Sequence, residues 1–178
     1  EFDLAGVFNG SSGYVDLPNI FNSKVSLTVS AWFKTTGTEG TIYVDWNSDK
    51  NIHIQLISGK IYVSTYYGTT ALNFTSPLTY NNGQWHQVVV ANNIIANTRN
   101  TWVDNQLIEN NATLPSGTFS HAQYIAIGAQ DVGGSFASFF NGSIDQVRIF
   151  NKALNATEVT TLYNETACTP PIVENCFD

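Results

Sequence analysis

The chain has 178 residues, enough for one domain with a sizeable core, and a net charge of −7. Hydrophobic residues make up 43% and aromatics 13%, which argues against disorder, while only 12% of residues are charged. The acidic balance excludes a nucleic-acid partner, which requires a basic footprint, and no apolar run approaches the ~20 residues of a membrane span.

Asn, Ser, Thr and Gly fill the place of the missing charges, giving an amide- and hydroxyl-rich surface compatible with a cation such as calcium or with a neutral sugar. No leader segment is read at the start of the sequence.

Strand signals then repeat with short turns between them. Ser26 to Lys34 alternates, with Leu27, Val29, Ala31 and Phe33 on one face and Ser26, Thr28, Ser30 and Trp32 on the other. Gly40 to Trp46 is a second strand. Asn51 to Ile57 turns Ile52, Ile54 and Leu56 inward and His53 and Gln55 outward. Ser58-Gly59 predicts a tight hairpin, and Lys60 to Tyr66 returns with Tyr62, Ser64 and Tyr66 outward. Asn81-Asn82-Gly83 is another turn. Strands follow at Gln84 to Ala91, Arg99 to Asp104, Gln106 to Asn110 and Tyr124 to Ala129, with Asp104-Asn105 as a hairpin.

The stretch from Gly142 to Tyr163 reads as a strand that hands off to one short helix. Strict alternation puts Ile144, Gln146, Arg148 and Phe150 on one face and Asp145, Val147 and Ile149 on the other. Asn155 is an N-cap with Glu158 three residues later, as in a capping box, and the helix runs to about Glu165. Val159, Leu162 and Tyr163 form its apolar side. Pro170 and Pro171 end the globular unit, so residues 3–166 are one domain and 167–178 a tail or the start of a linker. Cys168 and Cys176 in that tail are close enough to pair as a local disulfide; the alternative is two free thiols. Six Asn-x-Ser/Thr sequons begin at Asn9, Asn73, Asn111, Asn141, Asn155 and Asn164. They permit secretion without showing it.

Many short strands, polar turns and one late helix predict an all-β, two-sheet antiparallel jelly-roll sandwich. The order of its segments carries a resemblance. Val7-Phe8-Asn9-Gly10 with Tyr14-Val15-Asp16-Leu17-Pro18 looks like a first hairpin, Leu27 to Lys34 like a long core strand, and Gly83-Gln84-Trp85-His86 like a G-x-W-H strand. Trp102-Val103-Asp104-Asn105 and Ile125-Ala126-Ile127-Gly128 follow in turn. In this order they resemble the laminin-G-like and pentraxin-like domains of the concanavalin A-like jelly rolls. The resemblance implies an extracellular or cell-surface binding module, one part of a larger protein.

The resemblance also points to sites. In pentraxin-like and laminin-G-like relatives two loops lie together on one edge and can bind calcium. Here Asp45 to Asn51 and Gln130 to Gly134 stand at those places, offering Asp49, Asn51, Gln130 and Asp131 as oxygen ligands. This loop is poorer in acidic and amide side chains than the pentraxin one, and Lys50 adds a positive charge; the alternative is two solvated turns. Asp145 is a second candidate, since related jelly rolls hold calcium between a last-strand Asp and the first strand, near Asn9-Gly10 here. It could equally accept backbone N–H groups without metal.

The outward face of the 51–66 hairpin offers His53, Gln55, Tyr62 and Tyr66, with Trp46 and Tyr67 close in sequence. Aromatic faces with amides and hydroxyls suit a sugar, whose C–H faces stack on rings while its hydroxyls bond to amides. The same face could instead pack beneath a loop. Glycosidases of this superfamily place paired carboxylates on one strand. The Glu residues at 1, 39, 109, 158, 165 and 174 have no such spacing, so the chain is expected not to be an enzyme. The function expected is carbohydrate binding or adhesion, calcium-assisted, with a glycan or glycoprotein partner; a protein-interaction or structural laminin-G-like domain is the alternative.

Overall fold

The structure, a computed structural model, describes residues 5–18, 26–46, 52–67, 70–114, 124–131 and 135–165, without the side chains of Trp46, Tyr67 and Asp131. In chain order the strands are β1 (Gly6–Asn9), β2 (Val15–Leu17), β3 (Leu27–Lys34), β4 (Gly40–Trp46), β5 (Ile52–Ile57), β6 (Lys60–Tyr67) and β7 (Thr70–Thr79). They continue as β8 (Trp85–Asn93), β9 (Thr98–Val103), β10 (Gln106–Thr113), β11 (Tyr124–Ile127), β12 (Gln130–Asp131), β13 (Phe136–Ala137) and β14 (Asn141–Phe150), followed by the helix α1 (Ala156–Asn164). Two six-stranded antiparallel sheets face each other, ordered β1-β14-β3-β8-β9-β10 and β2-β11-β4-β5-β6-β7, with β12 and β13 as a small separate pair. This is a jelly-roll sandwich.

The core lies between the sheets. Val29, Ala31 and Phe33 of β3 and Val88 and Val90 of β8 meet Ile52, Ile54, Ile61 and Val63 of β5 and β6, and all are essentially inaccessible to water. Alternation therefore selects the buried face, as burial of apolar area demands. Both short hairpins form where their turn residues accept positive φ: Ser58 and Gly59 at 53° and 76°, Asp104 and Asn105 at 50° and 61°.

The helix sits on the outside of the first sheet. Val159, Leu162 and Leu154 pack on Val89, Ala91 and Trp102, and Trp32 stacks on Tyr163 with ring centroids 5.4 Å apart. Asn155 accepts from the Glu158 N–H at 3.0 Å, while the Glu158 carboxylate accepts from the Asn155 N–H at 2.9 Å, completing the capping box. Thr28 ties the strand-to-helix link down: its hydroxyl donates to the Lys152 carbonyl and accepts from the Leu154 N–H.

Three local expectations are corrected. β1 and β2 do not pair as a hairpin; β1 lies on β14 in the first sheet and β2 on β11 in the second. The simple alternation of β14 breaks at Gln146, whose φ is +46°, where the register against β3 shifts between Asp145 and Arg148. That bulge returns Val147 and Ile149 to the same core as Ile144. The third is β7, a ten-residue edge strand absent from the sequence reading; its Thr- and Pro-containing run masks the signal, and Pro on an edge strand leaves no inner ladder bond unmade.

Candidate functional site

The outer face of the second sheet is built by register. Asp16 lies opposite Ala126, Ala126 opposite Val44, Val44 opposite His53, His53 opposite Ser64, and Ser64 opposite Asn73. This row crosses all six strands on the side away from Ile125, Ile54 and Val63, which belong to the core. Its middle is floored by buried side chains: Ala126, Val44, His53 and Ser64 are at most 5% exposed. Beside it, Gln55 lies opposite both Thr41 and Tyr62. Gln55, Tyr62 and Tyr66 are half-buried, so each keeps part of its surface available.

His53 is a floor residue rather than an exposed one. Its Nε2 is 3.1 Å from the buried Thr41 hydroxyl. Burial pushes its pKa down from 6.5 to about 4, so the ring is neutral at pH 7. Burial, and then neighbouring Tyr66, raise the Tyr62 phenol above its ordinary value. At pH 7 the Tyr62 phenol is therefore neutral, with a hydroxyl that both donates and accepts.

An aromatic ledge stands over the opposite edge. Tyr14 stacks on Phe136 with centroids 3.8 Å apart and 20° between planes, and Phe136 meets Tyr124 edge-on at 6.4 Å. Tyr124 precedes the core residue Ile125 in β11, so the ledge shares the face of the floor. Sequence reasoning missed these three rings because they come from three separate segments. The only local signal was an aromatic beside Gly and Ser, in Ser-Gly-Tyr14 and Gly-Gly-Ser-Phe136.

The candidate metal ligands scatter differently. Asp49 and Asn51 lie outside the described residues, as do Cys168 and Cys176. Gln130 and Asp131 form β12, opposite Ala137 and Phe136, with Gln130 half-buried. Trp46 and Tyr67 close β4 and β6, and only their backbones are described. Asp145 is not brought to Asn9-Gly10. It lies opposite Trp32 and its carboxylate accepts from the Gln146 N–H at 2.7 Å, while Asn9 lies opposite Asn141. Asn9 is itself occupied, its amide oxygen accepting from the N–H groups of Ser11, Ser12 and Gly13. Among the described residues, no three His, Cys, Asp or Glu side chains gather as a metal would need.

Asp45, read both as part of the Gly40 to Trp46 strand and as the first residue of a polar loop, belongs to the strand. It lies in β4, buried, opposite Ile125 and Ile52, and its carboxylate accepts from the Ile52 N–H. Burial raises its pKa to about 7, against the opposing pull of backbone N–H groups. His86 serves the scaffold: its ring lies 2.7 Å from Asp104 and 2.9 Å from Asn82, pinning two turns together.

Comparison with known proteins places this geometry. A laminin G family model, described as the concanavalin A-like lectin/glucanases superfamily, matches residues 9–160. Among solved structures, the native heptameric SAP-like pentraxin of Limulus polyphemus superposes with a TM-score of 0.74 at 17% identity, over 92% of this chain and 83% of that one. The Ruminococcus gnavus IT-sialidase CBM40 bound to α2,3-sialyllactose gives 0.70 at 14%, over 90% and 98%. Domains LG4-5 of the mouse laminin α1 chain give 0.67 at 18%, over 84% of this chain and 42% of theirs. No curated protein sequence matches. With the family model spanning most of the chain and the sandwich in place, this protein belongs to the concanavalin A-like lectin/glucanases superfamily as a laminin-G-like domain.

Proposed function

We propose that this chain is a non-catalytic carbohydrate-binding module of a larger extracellular or cell-surface protein, and that its ligand face is the outer face of the second sheet. The observation that carries this is the juxtaposition of Gln55 with Tyr62 beside a buried, uncharged floor of Val44, His53 and Ser64. An amide and phenols beside an uncharged floor match a neutral sugar, which has hydroxyls at its edges and C–H groups on its faces. The R. gnavus module, a fold relative bound to sialyllactose, supports the class of ligand, although an acidic sugar suits this chain less well at net charge −7. Trp46, two positions beyond Val44 in β4, is proposed to extend the same face.

Catalysis is not part of this proposal. Glu109 is locked on Arg99, Glu158 on the helix cap and Lys152, Glu165 on Arg148, and Glu39 on the Ser58 N–H. None of these four is paired with a second carboxylate for glycoside hydrolysis. Calcium is proposed as a ligand of Asp49, Asn51, Gln130 and Asp131, the oxygen donors offered by two loops of the sequence.

The test is a glycan array probed in calcium and again in EDTA, repeated with Tyr62→Ala and Gln55→Ala. Binding of a neutral glycan that either variant weakens about tenfold, or ~1.4 kcal/mol, supports the assignment. Binding untouched by both variants moves the site elsewhere. Silence in both buffers favours a protein-interaction or structural laminin-G-like domain.

A further inference from the structure

The fold sorts the sequons. Asn9 spends both ends of its amide on its own turn: Oδ1 accepts from the N–H groups of Ser11, Ser12 and Gly13, and Nδ2 donates to the Ser12 hydroxyl. Asn155 caps α1. Asn141 lies in β14, an inner strand, with its side chain against Gly10. Asn111 is exposed on β10, an edge already broken by two register shifts. The sequon of Asn164 ends at Thr166, outside the described residues.

Asn73 differs. It lies in β7, the outermost strand of the second sheet, so among the described residues one row of backbone N–H and C=O groups faces outward without a ladder partner. β7 is ten residues long and has no charged side chain. A long, neutral, partly apolar edge invites a strand from a second molecule; charges, prolines and bulges are the usual obstacles. Pro77 and the register shift against β6 between Lys60 and Tyr62 both guard the same end. From Thr75 back to Thr70 the register runs unbroken, with neither device. Asn73 stands inside this unguarded stretch. Asn73 and Thr75, two residues apart on a strand, share a face. Register sets them opposite Ser64 and Tyr62, and both are exposed, so the two working residues of the sequon meet solvent together. The Asn73 amide forms no hydrogen bond among the described residues. Its neighbour Leu72 is anchored, the carbonyl accepting from Arg99 Nη1 at 2.9 Å.

We propose that Asn73 carries an N-linked glycan and that this glycan shields the free edge of β7. The inference rests on the extracellular placement proposed above, and is independent of sugar binding. In the attachment, Asn73 Nδ2 bonds to C1 of the first sugar of a lipid diphosphate-linked oligosaccharide. The C1–O bond to the diphosphate breaks, the lipid diphosphate leaves with the electron pair, and Nδ2 gives up one proton. A glycan is bulky and solubilising. Rooted on a rigid strand inside the unguarded stretch, it denies a second strand its approach.

The experiment secretes the chain from cultured animal cells, as wild type, Asn73→Gln, Thr75→Ala, Thr75→Ser and Asn73→Lys. Peptide-N-glycosidase in heavy-oxygen water marks each formerly glycosylated asparagine for mass spectrometry. Asn73 is expected to be marked in the wild type and in Thr75→Ser, which keeps the sequon. Light scattering during incubation is expected to show several-fold faster self-association for Asn73→Gln and Thr75→Ala than for the wild type. Asn73→Lys, which puts a charge on the edge in place of the glycan, is expected to stay dispersed. Thermal melts separate self-association from loss of folding. An unmarked Asn73 in secreted, folded protein overturns the glycan, and leaves the carbohydrate-binding assignment standing if that protein still binds on the glycan array. A marked Asn73 whose loss leaves self-association unchanged overturns the shielding role.

Discussion

Arg99 meets Glu109 through two parallel hydrogen bonds, Nε to Oε2 at 2.9 Å and Nη2 to Oε1 at 2.8 Å, with the guanidinium inaccessible to water. The pair joins the two sheets. The remaining donor, Nη1, reaches the Thr65 hydroxyl on β6 and the Leu72 carbonyl on β7, both at 2.9 Å. Thr101 adds a hydrogen bond to the carboxylate at 2.7 Å.

Breaking this pair on one side strands a buried charge. Glu109→Ala is expected to cost about 3–5 kcal/mol. For a domain of this size that lowers the melting temperature by roughly 10 °C or more. The double variant Arg99→Met with Glu109→Leu should recover much of the loss, because an apolar pair of similar volume leaves no charge to desolvate. Thermal melts of the single and double variants check both statements.

Stability should depend on pH through two buried groups of opposite sign. His53 has its folded pKa lowered to about 4, so the unfolded chain takes up its proton first and stability falls as pH drops from ~6.5 toward 4. Asp45 has its folded pKa raised to about 7, so the unfolded chain loses its proton first and stability falls as pH rises from ~4 toward 7. Each swing is about 3–4 kcal/mol, and between pH 4 and 6.5 they largely cancel. Asp45→Asn is therefore expected to expose the His53 slope, with stability rising steadily from pH 4 to 6.5. His53→Gln should expose the opposite slope. Denaturant titrations across that range read the difference, and parallel curves for wild type and both variants would refute the account.

Two glycines with positive φ should differ in tolerance. Gly142 has φ +148°, and a Cβ there would stand 2.2 Å from the Lys34 carbonyl oxygen, part of the paired backbone. Gly83 has φ +77° with nothing nearer than the Thr36 methyl at 3.4 Å. Gly83→Ala is expected to cost ~1 kcal/mol, from backbone conformation alone. Gly142→Ala should cost at least about 2 kcal/mol more, since β14 and β3 must separate to admit the methyl. Urea unfolding of the two variants measures the gap.

The proposed calcium edge makes a separate prediction. With calcium at ten times its Kd, the fold should gain about 1.4 kcal/mol. For this size of domain that raises the melting temperature by a few degrees. Asp131→Ala should abolish the shift without lowering the metal-free melting point. Identical melting in excess calcium and in EDTA would remove calcium from the functional account.

The sequence by itself determined what depends on neighbours along the chain. Alternation in Leu27 to Lys34 chose the buried face, Ser58-Gly59 and Asp104-Asn105 accepted the positive φ of tight hairpins, and Asn155 with Glu158 closed the helix cap. These are local rules, satisfied within a few residues. Only the tertiary structure decided what depends on strand order. It separated β1 from β2, placed Asp145 beside Trp32 instead of Asn9, and buried Asp45 at the end of its strand. It also assembled the floor and the Tyr14–Phe136–Tyr124 ledge from segments more than a hundred residues apart. No local pattern encodes those meetings, because register across a sheet is set by burial of the whole inner face at once.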